Sequence, residues 1–283
     1  MTLRKSYYYL AIAGLAAFLV GSASAQSFSW SGGGDATTWS QGANWVGGVA
    51  PTPGAFQIFL GTGFPTTTPT PITIGASDVI SLTDQIFGPE WGETLNINGS
   101  VTAGFGFAPV GDMAGPMSVV NMYGNASYIS GDSIFIGDMF WFNGGPNVSM
   151  NLYDNSQLTT KYLALGGHLN IFGGTVTVNN ALLIGPAGAG FWGSPLSTDA
   201  TRLMDIAGGK LVVAGDASAQ VSNLIARGIL EGNGIVGNVN VDLLSDPGFT
   251  VITAVPEPAS MTLLGFGGLA AALFSRRRSG SIH

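Results

Sequence analysis

The chain contains no cysteine among its 283 residues. A domain built from it must therefore be held by packing and hydrogen bonds, and Cys metal sites and redox motifs are excluded. Charge is scarce as well: Asp, Glu, Lys and Arg together make up 9% of the chain, with nine basic and two histidine residues. A His-rich metal centre is ruled out by that count. Five of the nine basic residues, Arg4, Lys5, Arg276, Arg277 and Arg278, lie near the two ends. The interior keeps Lys161, Arg202, Lys210 and Arg227 against sixteen acids, a net charge of −12. Such a surface repels nucleic acid, and four scattered cations line no phosphate track.

What is present at the ends reads as targeting. Arg4 and Lys5 precede an apolar stretch from Leu10 to Val20, and Ala23-Ser24-Ala25 places small residues where signal peptidase accepts them. Residues 1–25 are expected to be a signal helix cut after Ala25, with Ala23 and Ala25 as the cleavage determinants. An uncleaved anchor is the alternative.

At the other end, Val255-Pro256-Glu257-Pro258-Ala259-Ser260 leads into an apolar run, and Arg276-Arg277-Arg278 follows it. From Ala259 to Phe274 the uncharged run is 16 residues, just under the span of about 17–25 needed to cross a bilayer. A buried core helix or an interfacial segment is the plainer reading of so short a run. The Pro-Glu-Pro break and the trailing arginines, which snorkel to headgroups and stay cytoplasmic, favour a short transmembrane helix over 259–275.

That order of motif, apolar run and Arg cluster resembles the PEP-CTERM sorting signal of exopolysaccharide-producing bacteria, here over 255–278. The resemblance implies that Pro256, Glu257 and Pro258, with Arg276, Arg277 and Arg278, form the signal read by an exosortase-type membrane enzyme. It implies a delivery route: export, transient anchoring in the inner membrane, then tail removal and a place at the cell surface or outside the cell. Exopolysaccharide is a further partner in that setting. It covers about a tenth of the chain and implies no cargo activity.

About 230 residues between the two segments suffice for one core. Residues 26–94 are rich in Trp, Gly, Thr and Pro and form an opening segment. Trp30, Trp39 and Trp45 stand there as core or capping residues, or as a carbohydrate-stacking platform. Their spacing is similar to the opening of exported bacterial β-solenoid proteins.

From Leu95 a frame recurs: apolar, Asn or Asp, apolar, any residue, then Gly or Asp. It is carried by Leu95–Gly99, Val120–Gly124, Met150–Asp154, Leu169–Gly173 and Met204–Gly208. Each copy alternates like a half-buried strand that ends in a turn. The turn positions advance by 25, 30, 19 and 35 residues, a solenoid-like spacing. The expected fold is all-β, a parallel β-helix over 95–250, with an antiparallel β-sandwich as the alternative. The phrase Leu230 to Val239 resembles the last coils of autotransporter-like and PEP-CTERM passengers.

Chemistry is thin. His168 is the lone interior histidine and follows two glycines, as a turn residue would. No Gly-x-Ser-x-Gly elbow accompanies it. Asp112, Asp138 and Asp216 each follow Gly at corners that look equivalent, so stacking could align them as a Ca²⁺-binding column. Ordinary turn chemistry explains Gly-Asp equally. No catalytic residues and no cofactor are assigned. The expectation is a non-enzymatic surface or matrix protein. A polysaccharide-active β-helix enzyme and a carbohydrate-binding adhesin are the alternatives.

Overall fold

The computed structural model describes residues 26–60, 71–88, 92–104, 117–137, 147–184 and 199–256. Alternation of apolar and polar residues puts every second side chain inward, and the repeated frame does this in step. Leu95, Val120, Met150, Leu169 and Met204 are all buried, as are Ile97, Met122, Leu152, Ile171 and Ile206 two positions on. The residues between them, Asn96, Asn121, Asn151, Asn170 and Asp205, are half-buried on the outer face.

Two sheets share this core. One runs through Ile72–Ile74, Thr94–Ile97, Ser118–Met122, Val148–Leu152, His168–Ile171, Leu203–Ile206 and Leu230–Gly232, with every neighbouring pair parallel. The other runs through Phe28–Ser29, Ala55–Phe59, Val79–Phe87, Ser100–Ala103, Ser127–Ser130, Gln157–Leu165, Thr175–Leu183 and Lys210–Ala214, again parallel throughout. Ser133–Ile136 pairs with the second half of Gln157–Leu165. From Ile72 to Ala214 the chain visits the sheets in turn, so each circuit adds a strand to both. Parallel neighbours need such a crossover, because a tight hairpin cannot join them.

The frame positions pair as they align in sequence: Leu95 with Val120, Val120 with Met150, Met150 with Leu169, and Leu169 with Met204. Circuits of unequal length are accommodated between the strands, and the register is kept. Where circuits turn, the backbones come close. Gly174 has φ 68°, and a Cβ on it would overlap the Ser156 carbonyl. Only glycine meets both demands there.

Parallel pairing is already present before Leu95. Phe28 pairs with Ile58, Ala55 with Leu82, and Ile72 with Leu95, so the sheets cross the expected boundary at 94 and 95 without a break.

The opposite end closes differently. Lys210–Ala214 takes Phe249–Ala254 as an antiparallel neighbour, and Val239–Asp242 pairs antiparallel on its outer side. The turn between these two strands is Asp246-Pro247-Gly248, where the Phe249 N–H donates to the Asp246 carbonyl and Gly248 has φ 90°. The nine-residue helix Ser218–Ala226 buries Val221 and Leu224 at this end. A reversed strand and a helix stop the parallel stacking and leave a short edge, which limits pairing with other chains.

Candidate functional site

The sequence-derived candidates fall in different places. Trp30, Trp39 and Trp45 come together, but inside. They are 6%, 1% and 2% exposed, with the Trp45 ring edge-on to Trp30 at 5.0 Å and to Trp39 at 4.8 Å between centroids. Trp45 Nε1–H donates to the Trp39 carbonyl at 2.7 Å. This corrects the expectation of a sugar platform: ring faces used on one another and on the core are closed to a pyranose. The segment between them explains why they pack. The buried Asn44 carboxamide accepts from the Gly34 and Ala36 N–H groups and donates to Asp35 and to the Thr38 carbonyl. Asp35 in turn accepts from the Thr38 hydroxyl and from the Thr37 and Thr38 N–H groups, and these bonds hold its carboxyl well below the usual range. The Gly-rich loop is therefore a polar clip that fixes three indoles against the first circuit.

Of the three carboxylates expected at equivalent corners, Asp216 lies among the described residues. Val213, just before Ala214-Gly215-Asp216, stacks on Val178, which stacks on Thr160. Ile136, just before Gly137, stacks instead on Leu165. The corner that follows Ile136 and the one that follows Val213 therefore belong to different columns of this sheet. Asp112 and Asp138 themselves lie outside the described residues. Asp216 is engaged at the start of the helix, accepting from the Ser218 N–H at 3.0 Å and the Ser218 hydroxyl at 2.6 Å, which lowers its carboxyl pKa. Among the described residues no group of three or more His, Asp or Glu side chains could hold a metal. His168 starts a strand rather than sitting in a turn. Half-burial there pushes its imidazole below the ordinary value.

Two interior cations serve packing. Arg227 meets Asp199 at 2.6 Å, and the buried Arg202 lies 3.6 Å from the same carboxylate. Together the arginines lower the Asp199 pKa, the Arg227 hydrogen bond contributing most.

Sequence reasoning missed an outer feature of the first-named sheet. Asn121 donates to Asn96 at 3.0 Å, Asn151 to Asn121 at 2.9 Å, and Asn170 to Asn151 at 2.7 Å. Beside this ladder, Tyr153 stacks on Tyr123 at 4.9 Å and on Phe172 at 5.2 Å. The signal was the recurring Asn at the second frame position and the aromatic at the fourth. Both columns link circuit to circuit.

The remaining candidate lies at the C-terminal end of the described residues. Phe249–Ala254 is the last strand, and Val255 and Pro256 continue it as exposed residues. A cleft of about 430 Å³ flanks this exit, lined by the Ala207-Gly208-Gly209 corner, by Asn233 and by Thr253 to Pro256. Glu257, Pro258, Arg276, Arg277 and Arg278 lie outside the described residues, as do Ala23, Ala25 and the run 259–275. Among the described residues no helix is long and apolar enough to cross a membrane.

Residues 254–278 match the PEP-CTERM protein-sorting motif. The chain carries a PEP-CTERM sorting signal. The match begins at Ala254, the last residue of the strand Phe249–Ala254, so the start of the PEP-CTERM motif is continuous with that strand. Neither the curated proteins nor the solved structures contain a match to the chain. The motif implies export and recognition by an exosortase-type processing enzyme.

Proposed function

We propose that the chain is a non-enzymatic, exported protein of the cell surface or extracellular matrix, with a β-solenoid passenger delivered through the PEP-CTERM route. In this reading signal peptidase removes residues 1–25, the helix over 259–275 halts the exported chain in the inner membrane, and an exosortase-type enzyme acts on the signal. The observation that carries it is the matched motif at 254–278, set directly at the end of a folded, acidic passenger. The passenger's polar groups support a structural role. Asp35, Asn44, Asp199 and Asp216 are engaged in clips, caps and ion pairs, and the Asn column bonds to itself.

Replacing Pro256, Glu257 and Pro258 together by Ala tests the route in cells that hold the sorting enzyme. The expected result is a chain that stays in the membrane fraction while the parent chain leaves it. Equal distribution of the two chains would contradict the reading.

A further inference from the structure

Val255 stands immediately before Pro256-Glu257-Pro258, and the fold holds it on both sides. Its N–H donates to the Asn238 carbonyl at 3.0 Å, and its carbonyl accepts from Asn233 Nδ2 at 3.1 Å. Asn233 and Gly234 have φ of 55° and 71°, the two positive values that a type I′ turn requires. That turn joins Leu230–Gly232 to Ile235–Val236, and Asn238 closes it from behind by donating from its side chain to the Gly232 carbonyl at 3.1 Å. One residue earlier, Ala254 is paired with Val239. The phrase from Leu230 to Val239 is thus wrapped around the first residues of the sorting motif.

We propose that Asn233 and Asn238 form a clasp on Val255 that must open before the tail is removed. The proposal rests on the reading of 254–278 as a processed signal. An enzyme that takes up a peptide in extended form does so through backbone N–H and carbonyl groups. Those of Val255 are both engaged. Only Glu257 and Pro258 separate Pro256 from the uncharged run that starts at Ala259, three residue steps or about 10 Å when fully extended. While the clasp is closed, the folded passenger stands against the membrane surface with no slack for an enzyme to use. Asn233 is then a positioning residue, setting how fast the motif is handed over.

The test follows tail loss in a pulse-chase on the full chain, in cells with and without the sorting enzyme. Asn233→Gly keeps the positive φ and removes the donor to Val255. Six Gly-Ser residues inserted between Val255 and Pro256 leave the clasp intact and supply the slack. The expected result is faster tail loss in both, by roughly three- to tenfold for Asn233→Gly, the effect of losing one exposed hydrogen bond. An Asn233→Gly rate equal to or below the parent's, with the parent still processed, overturns the clasp alone. So does an insertion that gives no acceleration. Tails retained by every form in both strains overturn the sorting reading and the clasp together. Hydrogen exchange at the Val255 N–H separates the clasp from a general loss of fold: Asn233→Gly must lose protection there while the core strands keep theirs.

Discussion

Asn151 Nδ2 donates to Asn121 Oδ1 at 2.9 Å, joining two strands whose paired residues are 30 positions apart in the chain. The same Asn151 accepts from Asn170 and from the Ser149 hydroxyl. One side chain therefore links three successive circuits of the outer face, and substituting it tests whether the ladder stabilises the stack. Asn151→Ala is expected to lower stability by about 1–2 kcal/mol, since water reaches the half-buried partners left behind. Asn151→Asp keeps the acceptors and loses the donor to Asn121, so its deficit should be larger at neutral pH and shrink in acid as the carboxylate is protonated. Urea titrations at both pH values check this.

The ladder also shows which part of the architecture was readable in advance. The Asn recurs because its position is fixed by the pleat: apolar residues on either side turn inward, and in-register parallel stacking brings like residues together. Period-two alternation and a repeated residue therefore carry the register from Leu95 to Met204 directly. The opening segment has no such repeat. Its parallel pairing, Phe28 with Ile58, spans a Gly-rich loop whose conformation depends on Asp35 and Asn44, residues that look like ordinary turn formers in sequence. The corners that follow Ile136 and Val213 were hard to place for a related reason. Gly-Asp marks a corner, but which corners stack is decided by pairing in the second-named sheet, where Lys210–Ala214 pairs with the first half of Thr175–Leu183 and Ser133–Ile136 with the second half of Gln157–Leu165. The sorting signal was legible in full because its order of motif, apolar run and Arg cluster depends on no tertiary contact.

Trp45 is the centre of the opening cluster, touching Phe28, Trp30 and Trp39 edge-on. Trp45→Ala should cost about 3–5 kcal/mol, as for a large aromatic removed from a packed core. The chain has six tryptophans, so the check uses a variant with Trp91, Trp141 and Trp192 replaced by Phe: because Trp30, Trp39 and Trp45 are buried, adding a panel of neutral oligosaccharides should leave its fluorescence unchanged. A saturable shift would show an accessible ring face and contradict the packing described.

Gly174 and Gly124 both have positive φ, 68° and 61°, but only Gly174 has backbone where a Cβ would be. Gly124→Ala should lose about 1–2 kcal/mol, the usual left-handed penalty. Gly174→Ala should lose at least about 3 kcal/mol, because the circuits must also move apart at the Ser156 carbonyl. Thermal melts of the two variants compare them directly, and equal losses would mean that close approach at this corner is unimportant.

Two acid-sensitive groups separate by pH window. Half-burial lowers the His168 pKa below its ordinary 6.5, so the folded state favours the neutral ring. Its contribution is fully present above that value and declines as pH falls through 6.5 towards the folded value. Asp35 is depressed by the Thr38 side chain first, then by the Thr38 N–H, Asn44 and the Thr37 N–H. Its contribution is present above the ordinary 3.8 and is lost only as pH falls below it. Stability followed from pH 8 down to about pH 2 should therefore fall in two stages, the second beginning only below 3.8. His168→Gln should flatten the first, and Asp35→Asn should reduce the second, which Asp199, Asp216 and Asp242 share, the effect of Asp35→Asn being most visible in tryptophan fluorescence.

The central claim is that the passenger is exported and parts from its tail at the sorting signal. Intact-mass measurement of the protein recovered from cells with the exosortase-type enzyme, and from cells without it, tests this most directly. The expected chain begins at Gln26 in both, with the residues beyond the Pro-Glu-Pro motif missing only where the enzyme is present. A full-length C-terminus in both strains would contradict it.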